Sequence, residues 1–341
     1  MARRTVTLRE IARRTGVHES TVSRALNERT RHLVARDVAA RIAATARELG
    51  YRPNVMAAAL RTRRSMAVGL VVDDIGDPAH LPAIAAAEAT LRAAGYALTL
   101  VATGGETDRL AAALDSLAGR GADGAILLDR TLPAAGPSAG PDDTPPLPLV
   151  TPADLADPGV AGIGLAVAHL VRHGHRAIGH LAAPADTAAG HARLAGFRAA
   201  MTEADLFATV IETCESLDIA AGRAAAEALL ARRTTLTALV ADDDRLALGA
   251  LDAIAAAGRR CPQDVSVTGL GALPLTGRTT PPLTTVALDA AAVGRRAAAA
   301  LLARLDVGMP EDVPAPPTVL LIARGSSGPA PTAGGPAKTS G

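Results

Sequence analysis

Just past Gly16 the chain offers Glu19, Ser20 and Arg24 in one short run. These are residue types that read bases. Arginine can bridge guanine O6 and N7, glutamate can accept from a cytosine amine, and serine can pair with several bases. Ser20 and Arg24 stand four apart and so share one face of a helix. His18, just ahead, can reach a base or a phosphate. Thr7, Thr21 and Asn27 are suited to clamping phosphates, contacts that set register without carrying sequence information. Glu19 has a second reading, as an acid stabilising the positive end of a helix.

The surrounding sequence supplies elements to hold these side chains. Thr7 with Glu10 three residues later is a capping-box pattern, predicting a first helix over Leu8–Thr15 that Gly16 ends. A second helix is expected over Ser20–Asn27, and a third over Val34–Leu49, with Val34, Val38, Ile42 and Leu49 apolar and Gly50 as the stop. Two helices crossing steeply at a tight turn need a small residue at the crossing, a glycine in the turn and an apolar residue facing back. Ala12, Gly16 and Val22 meet those needs, with Ile11 and Val17 beside them. Such a helix-turn-helix presents the free face of its second helix to the DNA major groove. Charge agrees: residues 1–64 hold 15 Arg against 5 Asp or Glu, a net +10, while the rest holds 20 basic against 29 acidic residues, a net −9. A basic head on an acidic body suggests that only the head meets nucleic acid.

The body has a different rhythm. Short apolar runs at 67–72, 97–101, 124–128, 177–182, 238–241, 265–269 and 318–322 alternate with helical patterns at 82–94, 107–118, 162–172, 188–204, 219–231, 245–257 and 290–305. Repeated strand-then-helix is the mark of doubly wound parallel sheets. Residues 132–148, rich in Pro, Gly, Ala and Asp, read as a surface loop, and residues 326–341 as a disordered tail. With 49% hydrophobic residues but 1% aromatics and no Trp, the core must be built from Ala, Leu, Val and Ile. Cys214 and Cys261 are too far apart in sequence for a zinc motif, and they suit a reducing cytoplasm. No secretory apolar region and no membrane-length apolar run is visible. No Walker loop, nucleophile elbow or His-Glu-x-x-His motif occurs, so neither an enzyme nor a cofactor is expected.

The run TVTLREIARRTGVHESTVSRALNE, followed by ARELGYRPNVMAAAL, closely resembles the headpiece and hinge of the lactose/galactose repressor (LacI/GalR) family. The resemblance extends to about residue 325. It implies an all-α helix-turn-helix headpiece at 1–50, a hinge at 51–66 and, at 67–325, a periplasmic-binding-protein-like α/β core of two doubly wound parallel-sheet lobes joined by three crossovers. In such a protein the hinge folds on operator DNA as a helix in the minor groove. Asn54 would start it, Met56 and Ala57 would pack it, and Leu60 would wedge into a base step; plain packing of Leu60 on the body is the alternative. The resemblance further implies a homodimer on a pseudo-palindromic operator, modulated by a small-molecule effector in the core cleft. The family's C-terminal leucine heptad is absent, so a dimer is expected and not a tetramer.

Carried over residue by residue, the resemblance makes Arg193 in HARLAGF an effector-binding arginine with Phe197 nearby, Asp243 in ALVADDDRLALGAL a ligand and Asp244 a helix cap. Asp77 heads the position where the family often reads Asn-Pro-Phe-Phe, here Asp77, Pro78, Ala79 and His80. The departures are as telling. Where an acid is usual, the chain reads Gly269, Leu270, Gly271 and Ala272, a frequently polar position is Leu288, and the nearest strand-end acid is Asp154 or Asp157. A sugar needs many partners, since each buried unsatisfied hydroxyl costs about 1–3 kcal/mol. The effector expected is therefore sugar-like or atypical, and a hexose fits poorly. His169, His173, His175 and His180 read as structural, and Asp242–Asp244 lacks further ligands for a metal. Rival readings are an activator or ligand-blind regulator with the same head, or a solute-binding protein, which the basic head disfavours.

Overall fold

The computed structural model describes residues 6–27, 30–51, 64–128, 145–155, 157–208, 210–307 and 315–331. Asn54, Met56, Ala57 and Leu60, and most of the expected loop at 132–148, lie outside them. The chain divides into two compact units at Ser65 and Met66.

Among the described residues the head has three α-helices: α1 (Leu8–Thr15), α2 (Glu19–Leu26) and α3 (Arg36–Glu48), with a 3-10 turn at Arg31–Leu33 before the last. The Thr7 side chain caps α1 by accepting from the Glu10 N–H. Gly16 closes α1 at φ 69°, a left-handed conformation that glycine adopts without steric cost. Ile11, Ala12, Val22, Ala25, Ala39, Ile42 and Ala46 make a small core of their own, with Val17, Val34, Val38 and Leu49 packed against it. Alanines at the crossings let the helices approach closely. The expected first residue of α2 shifts by one because His18 caps the helix, its ring accepting from the Ser20 N–H.

The body is two parallel sheets flanked by helices. In the first lobe the strand order is β2-β1-β3-β4, from β1 (Ala67–Val72), β2 (Ala97–Ala102), β3 (Gly124–Leu127) and the two-residue β4 (Leu149–Val150). Helices α4 (Leu81–Ala93) and α5 (Thr107–Gly119) connect them. In the second lobe the order is β10-β9-β8-β7-β5-β6, from β5 (Ile178–Ala182), β6 (Ile211–Thr213), β7 (Ala238–Ala241), β8 (Ser266–Leu270), β9 (Thr284–Leu288) and β10 (Val319–Ile322). Among the described residues only the β9–β10 pair is antiparallel. Its helices are α6 (Pro158–Arg172), α7 (Ala188–Glu203), α8 (Ile219–Arg232) and α9 (Asp244–Ala256). The last helix, α10 (Ala290–Arg304), returns to the first lobe, where Ala297, Ala298, Leu301 and Leu302 join Val68, Leu70, Ala83 and Leu91 in one core. The chain crosses between lobes near Thr151–Asp157 and again at Leu288–Ala290, and the third expected crossover falls outside the described residues.

Helix α6 begins four residues earlier than the sequence pattern suggests. Asp157 caps it by accepting from the Gly159 N–H at 2.8 Å, and Pro158 takes the first turn, where a missing N–H is harmless. β9 escapes sequence reading because two of its buried residues are Thr284 and Thr285. Thr284 Oγ1 meets the Ser327 hydroxyl at 2.8 Å, and Thr285 donates to Asp244.

The expected disordered tail is corrected over 326–331. Ser326 is fully buried; its hydroxyl accepts from the Thr284 N–H at 2.8 Å and donates to the Val267 carbonyl at 2.7 Å. The Val267 N–H also donates to the Ser326 carbonyl at 2.7 Å, and the Gly328 N–H reaches Ser266 Oγ. Composition concealed this, because the segment is held through serine hydroxyls and backbone and not through apolar side chains. His169, His173 and His175 hold the same strap: His169 Nε2 lies 2.8 Å from Ser327 Oγ, His175 Nε2 lies 3.0 Å from the Gly328 carbonyl, and the His173 carbonyl accepts from Ala330.

Candidate functional site

Two places on the molecule gather chemistry. On the head, Val22 and Ala25 turn inward, and His18, Glu19, Ser20, Arg24 and Asn27 are left exposed along α2. Thr7 is exposed beside the start of α1, and Thr21 is half-buried. His18 Nδ1 sits 2.8 Å from Ser20 Oγ, so the two side chains share one hydrogen bond at the entry to α2. Glu19 lies 3.6 Å from Arg9 of α1, a partner that the reading of α2 alone missed. An exposed pair of this kind is weak and readily exchanged for a base or phosphate. The described geometry thus gathers the candidate base-reading side chains on one solvent-facing strip.

The second place is a cavity of about 640 Å³ between the two lobes of the body. It lies at the carboxyl ends of the strands, where open α/β sheets receive ligands. Arg193 of α7 reaches it from the second lobe. Its Nε donates to Asp157 Oδ2 at 2.8 Å and its Nη1 to the Asp242 carbonyl at 3.0 Å. Burial disfavours the Arg193 cation, but Asp157, with Asp242 and Asp243 behind it, more than reverses this and holds its pKa above the ordinary value. Only a residue without a Cβ fits beneath the guanidinium: a methyl built on Gly159 would stand 2.4 Å from Arg193 Nε.

The three consecutive aspartates at the end of β7 do three different things. Asp242 is buried and bonded to His180 Nε2 and the Ala183 N–H, each at 2.8 Å. Burial would raise its pKa, but the His180 ring and Arg193 prevail and lower it. Asp243 lines the cavity and caps α9 through the Arg245 N–H, with the Arg245 guanidinium 2.9 Å away. Asp244, expected to cap that helix, instead accepts from the Leu273 N–H at 2.7 Å and from Thr285, tying α9 to β8 and β9. Burial raises its pKa to about 6.

Two expected cavity residues are placed elsewhere. Phe197 is fully buried in the second lobe, stacked on His180 with ring centroids 4.3 Å apart. Its apolar face is spent on packing, so it supplies no platform for a ligand. Asp77 is also buried; it accepts from the Ala79 N–H at 2.9 Å, pairs with Arg245 at 3.2 Å and does not line the cavity. Residues the sequence reading left out are Arg245, which links Asp77 of one lobe to Asp243 of the other, and His80, which pairs with Asp73 at the cavity floor. Arg245 follows the three aspartates directly, so its adjacency was a signal. Of the two acids offered for the strand end, Asp157 is the cavity residue, while Asp154 pairs with Arg304.

Comparison with known proteins gives consistent results. Residues 7–54 match the family described as bacterial regulatory proteins, lacI family, and residues 167–327 match a periplasmic binding protein-like domain. The ribose operon repressor of Escherichia coli K12 is 28% identical over 330 residues, covering 94% of this chain and 99% of that protein. The HTH-type transcriptional regulator CelR of Thermobifida fusca is 32% identical over 326 residues, covering 89% and 93%. Among solved structures, that of the lac repressor dimer bound to operator and an anti-inducer has a TM-score of 0.73 at 24% identity, covering 95% of this chain and all of that one, which speaks for the fold.

Proposed function

The chain belongs to the LacI family of bacterial regulatory proteins, and from that premise we propose that it is a transcriptional repressor that binds a pseudo-palindromic operator as a homodimer and is released or tightened by a small molecule in the interlobe cavity. The observation that carries the proposal is the exposed strip of Glu19, Ser20 and Arg24 on the second helix of a basic helix-turn-helix. Arg24 is the main base reader, Ser20, Glu19 and His18 refine the choice, and Thr7, Thr21 and Asn27 fix the register on phosphates. Asn54, Met56, Ala57 and Leu60 form the minor-groove hinge. In the cavity, Arg193 and Asp243 contact the effector, whose differential affinity for two lobe arrangements supplies the switching energy. The relatives are regulators and not enzymes, and this chain acts as one too, in the cytoplasm where its operator lies.

Selection from randomised duplex DNA with the full-length protein, at one fixed salt concentration, tests this. An enriched inverted repeat is the expected result. Arg24→Ala should then cost about 1–3 kcal/mol on that sequence and relax preference at one base pair in each half-site. Salt-sensitive binding without any enriched sequence would overturn the reading.

A further inference from the structure

The interlobe cavity is walled by aliphatic side chains from both lobes. Leu127, Leu128 and Val293 face it from the first lobe, and Leu270, Leu273 and Leu288 from the second. Its polar groups are gathered among His80, Asp157, Arg193, Asp242 and Asp243, and most of their bonding capacity is already used inside the protein. Arg193 is taken by Asp157 and the Asp242 carbonyl, Asp242 by His180 and Ala183, and Asp243 by Arg245. Such a lining offers few partners to a polyol.

Nor is there an aromatic face for a sugar ring to stack on. The chain has two Phe, two Tyr and no Trp. Phe197 is stacked on His180, Phe207 is exposed beyond α7, Tyr96 is buried in the first lobe, and Tyr51 belongs to the head; none lines the cavity. His80 adds a ring nitrogen that a ligand can reach. The His80 ring lines the cavity, and its Nε2 is paired with Asp73. Among the described residues no hydrogen bond reaches its Nδ1, which also is not among the sealed, unpartnered buried atoms. Whichever way the ring nitrogens carry their protons, a hydroxyl can pair with Nδ1, because it both donates and accepts.

Resting on the reading of this cavity as the effector site, we infer that the effector is an apolar, ring-sized molecule carrying a single hydroxyl, which hydrogen-bonds to His80 Nδ1 while the aliphatic walls bury the rest. Cavities of this size take drug-sized ligands and bury most of their surface. A molecule of this class suits the walls, and its one hydroxyl meets the His80 ring. A polyol would bury several hydroxyls without partners.

The test uses full-length protein and three probes: 2-naphthol, naphthalene and D-ribose. Binding is read by equilibrium dialysis, with each probe quantified in the protein-free compartment. The expected result is saturable 2-naphthol binding, one per chain, about tenfold tighter than naphthalene, with D-ribose failing to displace it. His80→Phe should bring 2-naphthol down to the affinity of naphthalene. Ala192→Trp, which fills the cavity, should abolish binding of both; Leu288→Gln, which puts an amide into an aliphatic wall, should weaken both and serves as a second variant if the first does not fold. D-ribose bound in preference, and lost in Ala192→Trp, overturns the apolar class but keeps the cavity as the effector site. Binding of 2-naphthol that both cavity variants leave intact overturns the placement in the cavity itself. Absence of 2-naphthol binding, or an unchanged preference over naphthalene in His80→Phe, overturns the inference about the ligand.

Discussion

Replacing Asp157 by Asn should destabilise the body far more than the loss of one exposed charge would. Arg193 is only 4% exposed, and Asp157 provides two of its hydrogen bonds, at 2.8 and 3.4 Å. Removing one member of a buried pair costs about 3–5 kcal/mol, because the other charge is left uncompensated. The Asp157 side chain is itself 23% exposed, so water from the cavity takes up part of the loss. The expected cost therefore falls to about 2–3 kcal/mol. Asparagine still caps α6, so helix capping contributes little to this figure. Urea unfolding of the full-length protein provides the assay. Arg193→Met supplies the control: in the double variant Asp157→Asn with Arg193→Met no buried charge is left unpaired, and the cost should be well below the sum of the singles. A single Asp157→Asn variant within about 0.5 kcal/mol of the parent, or strict additivity in the cycle, would refute the picture of a buried cation held chiefly by Asp157.

Gly159→Ala should displace the Arg193 guanidinium and cost about 1–3 kcal/mol through overpacking, measurable as a lower urea midpoint; an unchanged midpoint would mean that α6 shifts freely. Ser326→Ala removes a hydroxyl that serves both a buried N–H and a buried carbonyl, so a loss of about 1–3 kcal/mol is expected in the same assay, and a neutral result would argue that the strap adds nothing to the sheet. His169 gives a pH signature. Burial, with help from His173, lowers its pKa from 6.5 to about 4. Between those values the unfolded chain takes up a proton that the folded chain refuses, so stability should fall as pH drops from 6.5 towards 4 and be insensitive to this group above 6.5. His169→Gln, which can still bond Ser327, should flatten that slope in unfolding midpoints taken across the range; an unaltered slope would remove His169 as its source.

Much of this arrangement was legible in the amino-acid order. The head follows from Thr7, Ala12, Gly16 and Val22, whose roles are local and dictated by capping, close approach and turn geometry. The alternation of strands and helices in the body was equally visible wherever apolar residues ran together. Sequence reading failed where burial was achieved by polar side chains: Thr284 and Thr285 in β9, and Ser326 in the strap, are buried because their hydroxyls find partners far away in sequence. It failed again for Phe197, which the resemblance set near the effector and which the structure stacks on His180. Arg193, offered as an effector contact, lines the cavity. Its partner Asp157 could only be offered beside Asp154, since which acid turns inward depends on the cap geometry of α6. The poverty of polar groups around the cavity was foreshadowed by Leu270, Gly271, Ala272 and Leu288.

Helix α10 belongs to the first lobe, although the whole parallel part of the second lobe separates it in sequence from β4. Its residues Ala297, Ala298, Leu301 and Leu302 complete the core around β1 and α4. During synthesis the first lobe must therefore wait, with an open apolar face, for more than a hundred residues to be made. The second lobe in turn lacks its antiparallel edge until β10 and Ser326 emerge. The three-helix head has no such dependence, because its core is closed within the first 50 or so residues. Each new molecule would thus carry a finished DNA-reading head well before it has a finished cavity. Protease digestion of ribosome-bound chains stalled shortly after Leu288 should leave the head intact while the first lobe is cut, and a resistant first lobe at that length would show that α10 is dispensable for its folding.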